Sequence, residues 1–116
     1  MAMPHLKNNT TGEIIAWNVT YADTWWQRLA GFIPRAQVDP DEGLWFRDCW
    51  AIHTLGMRAH IDVIFLDDKG CIVRTHRSVP LQRPVLSCFG ARNVVELGAG
   101  ALEGRDLLVG DRLTLE

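Results

Sequence analysis

The run Ile61-Asp62-Val63-Ile64-Phe65-Leu66 constrains the fold of this chain more than any other stretch. Its β-branched and aromatic residues favour a strand, and apolar side chains at both parities predict one covered on both faces. A single carboxylate, Asp62, sits inside the run. Just before it lies His53-Thr54-Leu55-Gly56-Met57, a polar and flexible segment. A polar segment feeding a buried strand is a place where a site can form.

The rest of the chain reads as short strands joined by turns. Leu6 to Tyr21 predicts a hairpin, with turn residues at Asn9-Thr10-Thr11-Gly12 and a strand over Ile14 to Thr20. One helix follows: Asp23 or Thr24 can cap it, Trp25 to Ala30 forms it, and Gly31 can end it in the left-handed conformation. Trp25, Leu29 and Phe32 have the spacing of a core-facing stripe. Gln37 to Gly43 is a polar loop, and Leu44 to Trp50 is strand-like. Asp67-Asp68-Lys69-Gly70 is a strong turn leading to a strand at Cys71 to Thr75. Val79 to Pro84 is a loop with two prolines, Val85 to Phe89 a short strand or extended loop, and Asn93 to Leu97 a strand. Leu102 to Arg105 is a turn or short helix, and strands at Leu107 to Val109 and Leu113 to Leu115 close the domain. Many short strands with Gly/Asp turns predict a mainly β fold, a small barrel or sandwich with one short helix.

At 116 residues the chain is a single domain, 1–116, large enough to bury a core without metal or disulfide staples. A formal net charge of −2 argues against a nucleic-acid or anionic-membrane role. No apolar run approaches the roughly 20 residues of a membrane helix. The N-terminal stretch lacks the apolar core of a signal peptide, which predicts a cytoplasmic protein as the chain stands, or an exported one if a signal has been removed. The three cysteines, Cys49, Cys71 and Cys88, have no CxxC spacing and read as reduced thiols.

A set of short motifs carries a family resemblance. His53-Thr54, Gly56-Met57, Ile61-Asp62, Phe65-Leu66-Asp67 and Gly70 form its centre. Arg28-Leu29-Ala30-Gly31 lies upstream, and Val95-Glu96-Leu97, Gly100 and Gly110-Asp111 lie downstream. Together they resemble the bacterial family known as domain of unknown function 192, from about Asp23 to the C-terminus. Many of its members have a Trp-Met-Lys-Asn-Thr type centre, and this chain has an Ile-His-Thr-x-Gly-Met variant. The resemblance implies a small β-barrel or jelly-roll-like sandwich and marks Gly31, Gly70, Gly100, Gly110 and Asp111 as structural positions. It implies no activity.

Several constellations bear on chemistry. Cys49, His53 and Met57 are possible soft-metal ligands, but residues four apart on a strand lie about 13 Å apart. Only a helix or a sharp bend at Gly56 would bring them together. His60 and Asp62 share a face if extended, and with His53 and Glu96 they resemble a metal-binding set only weakly; a surface turn at His60 is the plainer reading. No metal or cofactor is therefore expected. Asp62 and Glu96 are carboxylates within apolar strands, and each needs a partner if buried. Arg28 is the natural candidate, because its planar fork can hold a carboxylate at two points. Of the five tryptophans, Trp17, Trp25 and Trp45 fall in core patterns, and Trp26 or Trp50 is expected to wall a pocket. Residues 69–92 contain no acid, so Arg74, His76, Arg77, Arg83 and Arg92 make a basic face.

These features lead to one favoured function and two alternatives. The favoured one is a non-catalytic ligand-binding or accessory role, with a polar pocket formed by Arg28, His53, Thr54, Met57, Asp62 and Glu96. The first alternative is a small hydrolase-type enzyme using His53 with Asp62 and Glu96, with or without a metal; the sequence assigns no catalytic residue outright. The second is a structural module that binds a protein partner through the basic face at Arg74 to Arg92.

Overall fold

The run at Ile61 to Leu66 forms a strand, and all six of its side chains are buried. The computed structural model describes residues 3–116, save the side chains of Trp25 and Leu29. In chain order its elements are β1 (Leu6–Asn8), β2 (Ile14–Ala16), β3 (Asn18–Tyr21), α1 (Trp25–Ala30), β4 (Glu42–Arg47), β5 (Ala51–Ile52), β6 (Ile61–Leu66), β7 (Ile72–His76), β8 (Leu86–Ser87), β9 (Asn93–Gly98) and β10 (Leu113–Leu115). The main sheet runs β3-β4-β9-β6-β7. A three-stranded sheet runs β10-β1-β2, and β5 pairs with β8 alone. The fold is mainly β and sandwich-like, and the sheets do not close into a barrel.

Strand alternation splits the main sheet into two packed faces. On one face Ile61, Val63 and Phe65 of β6 pack with Leu44, Phe46 and Val94, under Phe32, Met57 and Val79. On the other, Ile64, Leu66, Trp45, Val95 and Leu97 pack against Leu6 and Ile15 of the smaller sheet, with Leu102 and Leu113. A fully buried aliphatic or aromatic side chain contributes roughly 1.5–3 kcal/mol, so two such faces on one sheet supply most of the core.

The expected hairpin over Leu6 to Tyr21 is shorter than its sequence suggests. β1 pairs antiparallel with β2, but β3 leaves for the main sheet, where it runs parallel to β4. Trp17, expected in the core, stands at that crossing and is 57% exposed. Trp45 is buried. The stripe on α1 is described only at Phe32, which is buried; the side chains of Trp25 and Leu29 lie outside the described residues. Leu102 to Arg105 is a turn, and Leu107 to Val109 is not a strand. The Asp67–Gly70 turn forms as its residues dictate: Asp67 Oδ1 accepts from the backbone N–H of Lys69 and Cys71. Gly70, Gly100 and Gly110 all have positive φ. Asp111 is buried and its Oδ2 accepts from Asn8 and from the Leu108 N–H. All three cysteines are free.

Asp62 is 1% exposed, and its partners are backbone donors and not Arg28. Oδ1 accepts from the Ser78 N–H at 2.8 Å, and Oδ2 from the Leu102 N–H at 3.0 Å. Ser78 has φ of 47°, a conformation that costs energy for a non-glycine residue and persists where neighbours hold it. Asp62 is one such neighbour, together with the bond from Val79 N–H to the Ile61 carbonyl. Its carboxylate thus ties β6 to the turn after β7 and to the turn after β9.

Hydrogen bonds to a charged acceptor contribute roughly 1.5–3 kcal/mol each, and Asp62→Ala leaves two backbone donors unpaired, that of Leu102 buried and that of Ser78 partly buried. We predict a loss of about 3 kcal/mol or more in urea melts. A loss under about 0.5 kcal/mol, the size of an ordinary surface substitution, would mean that the carboxylate is solvated.

Candidate functional site

The site is assembled from the end of α1, the strands β4 and β9, and the segment before β6. Helix α1 starts on a reciprocal cap: the Gln27 N–H donates to Thr24 Oγ1 at 3.0 Å, and the Thr24 N–H to Gln27 Oε1 at 3.2 Å. Such a cap satisfies two of the orphan donors of a short helix. The helix ends at Gly31, with φ 52° and ψ −122°. A Cβ there would stand 3.2 Å from Oε1 of Glu96. Glycine at this position therefore meets both the backbone conformation and the close approach to a carboxyl.

Glu96 lies on β9 opposite Leu44 of β4 and Val63 of β6. Those partners place it on the face packed under Phe32 and Met57. It is 5% exposed and makes no side-chain hydrogen bond or ion pair with any described residue. Burial removes water from the charged form, and this desolvation pushes its pKa up to about 8. At neutral pH Glu96 is mostly an uncharged acid, able to donate one hydrogen bond and accept others.

The segment before β6 is stapled from the other side. Buried Thr54 donates through Oγ1 to the Pro80 carbonyl at 2.8 Å and accepts there from the Arg83 N–H at 2.8 Å. Gly56, with φ of 79°, makes the expected bend, and its N–H donates to Gln82 Oε1 at 3.0 Å. With its backbone fixed in this way, the segment presents His53 and Met57 toward the sheet.

A cavity of about 90 Å³ results. Its polar lining is Arg28, Cys49, His53 and Glu96, and its apolar walls include Phe32, Phe46, Ile52 and Met57. Nδ1 of His53 is buried without a hydrogen-bond partner. Arg28 is exposed, and its Nη1 donates to the Arg47 carbonyl at 2.8 Å. Burial pushes the Cys49 thiol up, and a weaker backbone contribution from Ala51 and the Arg28 charge pull the other way.

Four of the six residues expected around a pocket, Arg28, His53, Met57 and Glu96, line this cavity together. Thr54 and Asp62 do not. Thr54 points into the loop it staples, and Asp62 lies on the opposite face of the sheet, so His53, Asp62 and Glu96 are not brought together. Neither Trp26 nor Trp50 forms a wall; both are 60% exposed, and the two phenylalanines take that place. His60 is exposed, with Nδ1 3.0 Å from the Val79 carbonyl. Sequence reasoning missed Phe46 and Cys49 as lining. Phe46 was readable in principle, since it shares its strand face with Leu44, directly opposite Glu96. Among the described residues, no group of three or more His, Cys, Asp or Glu side chains is placed to hold a metal ion.

Residues 6–115 match the profile of DUF192, described as "Uncharacterized ACR". The chain belongs to the DUF192 family. No curated protein matches it. Two crystal structures resemble this DUF192 chain. One is a protein of unknown function from Novosphingobium aromaticivorans DSM 12444, with TM-score 0.79, 19% identity, and 97% of this chain and 84% of that one covered. The other is a candidate transcription regulator from Sinorhizobium meliloti 1021, with TM-score 0.77, 23% identity, and 97% and 91% covered. At these identities the likeness speaks for the fold alone. No described helix of this DUF192 protein is long and apolar enough to cross a membrane.

The raised pKa of Glu96 makes stability depend on pH. Between 4.5 and about 8 the folded state holds a proton that the unfolded state has lost, so this group's contribution to stability falls as pH rises. The slope approaches 1.4 kcal/mol per pH unit, the value of one pKa unit. Urea melts from pH 5 to pH 9 should show that decline in the wild type, and Glu96→Gln should remove it. Parallel pH profiles for the two proteins would mean that Glu96 ionises normally.

Proposed function

We propose that this DUF192 protein binds a small molecule without transforming it, in the cavity lined by Arg28, His53, Met57 and Glu96. The observation that carries the reading is Glu96. Buried polar groups are nearly always paired, and an unpaired buried carboxyl destabilises the fold. Here such a group opens into a cavity together with a second unpaired atom, His53 Nδ1. A ligand with matching polar atoms would relieve both. Mostly apolar walls with a few convergent polar groups are what small-molecule sites offer. Acid–base hydrolysis has less support, because Asp62 is remote and, among the described residues, His53 has no carboxylate partner to orient it.

A second reading rests on a separate observation. Phe89 is fully exposed, and it lines a shallow groove with Trp50 and Arg92. Arg74, Arg83 and Arg92 form no ion pair among the described residues. An acidic protein partner would suit that surface, but the groove is open and holds no buried polar group in need of a partner.

Amide NMR titrations with propionate, propionamide and n-propylamine test the binding reading. At least one should shift Gly31, His53 and Met57 together and saturably, with a Kd in the millimolar range or tighter, well within the limit of about −1.5 kcal/mol per heavy atom for very small ligands. His53→Ala should weaken that binding while changing stability by less than about 1 kcal/mol. If none of the three compounds moves these amides, the cavity is not a binding site.

A further inference from the structure

Resting on that reading, we infer that the ligand is a small monocarboxylate, its carboxylate held between Arg28 and Glu96 and its short apolar tail among Phe32, Phe46 and Met57. The first support is the way Arg28 is held. Its Nη1 donates to the Arg47 carbonyl, and this bond holds one end of the guanidinium. The Nε and Nη2 edge has no protein partner among the described residues. Two parallel N–H donors on one edge match the two oxygens of a carboxylate. An ammonium group has no use for that edge and is repelled by it.

The second support is the balance of charge. Among the described residues, titratable and charged groups line the cavity beside Glu96 from two segments: Arg28 from α1, and Cys49 and His53 from the segment after β4. No ionised acid lines the cavity at neutral pH, because burial keeps Glu96 protonated. The lining is therefore net positive, and Glu96 presents an O–H donor. A neutral carboxyl donating to a carboxylate makes a short, charge-assisted hydrogen bond.

Size and wall chemistry narrow the class further. About 90 Å³ is several times the roughly 10–15 Å³ that a cavity needs to hold one water, which leaves room for a ligand on the order of five heavy atoms. An inorganic oxyanion fits poorly, since it would turn charged oxygens toward Phe32, Phe46 and Met57. A two- to four-carbon acid places methylene groups there instead.

The test is calorimetric titration in a carboxylate-free buffer. At pH 7 propionate should bind at least tenfold more tightly than n-propylamine or propionamide. Raising the pH to 9 ionises Glu96 and should weaken propionate about tenfold, as the protonated fraction falls through a pKa of about 8. The Cys49 thiol is held protonated by burial and does not contribute to this change. Glu96→Gln, whose amide still donates, should keep the pH 7 affinity and lose the pH dependence. Arg28→Lys keeps the charge but not the fork, and should weaken propionate at least tenfold with the pH profile intact. Preferential binding of propylamine or propionamide would overturn the carboxylate assignment and leave the binding site standing. Failure of all three compounds to bind would overturn both.

Discussion

Two-sided burial of the main sheet governs everything else in this protein. β6 and β9 are interior strands with packed layers above and below. Because side chains alternate strictly along a strand, each residue on these two strands is committed to one face or the other. Asp62 pairs with Leu97 and follows the face of Ile64 and Leu66, whereas Glu96 pairs with Val63 and follows the face of Phe65. A register slip of one residue would exchange them and bury each in the wrong layer.

The two carboxyls show how similar burial can have different consequences. Asp62 is met by two backbone N–H groups whose positions are set by turns, so its charge is matched locally and helps hold those turns. Glu96 is met by a glycine, two aromatic rings and a cavity. Among the described residues nothing on its face donates to it, so burial holds it in the protonated form. A carboxyl that orders the core and a carboxyl left without a partner among the described residues differ here by their donors and not by their exposure.

Much of this fold was legible from residues alone. The nearly unbroken apolar run marked β6 as interior, Asp67 to Gly70 had the side chain and glycine that its turn requires, and Thr24 was one of two candidates for the helix cap it forms. The site was legible only in part, because its assembly depends on contacts distant in sequence. Nothing near Asp62 announces that Ser78 and Leu102 will supply its donors, and Arg28 was the obvious partner by type. Thr54 reads as a pocket residue until the loop at Pro80 to Arg83 is seen to claim its hydroxyl. The departure of β3 to the main sheet left Trp17 exposed, which the alternation of Ile14 to Thr20 does not foretell. His53, Met57 and Glu96 share a cavity because Gly56 bends the chain and β9 lies beside β6.

The separation of Arg28 from Glu96 is the most informative feature of the cavity. Both line it, and a salt bridge between them would be the ordinary way to satisfy a buried acid. Such a bridge would hold Glu96 ionised, since a nearby cation favours the charged form. It would also use the arginine fork and leave the cavity little unmet polarity. Instead the Arg47 carbonyl takes Nη1 at the end of β4, and Gly31 brings backbone against the carboxyl where a larger residue would force it aside. The fold therefore keeps an exposed cation and a buried, uncharged acid on the lining of one small cavity without letting them neutralise each other. Stability alone gives no reason for that arrangement, because pairing them, or replacing Glu96 with an apolar residue, would remove a buried unsatisfied group. The proposed ligand, bridging the two, would give one.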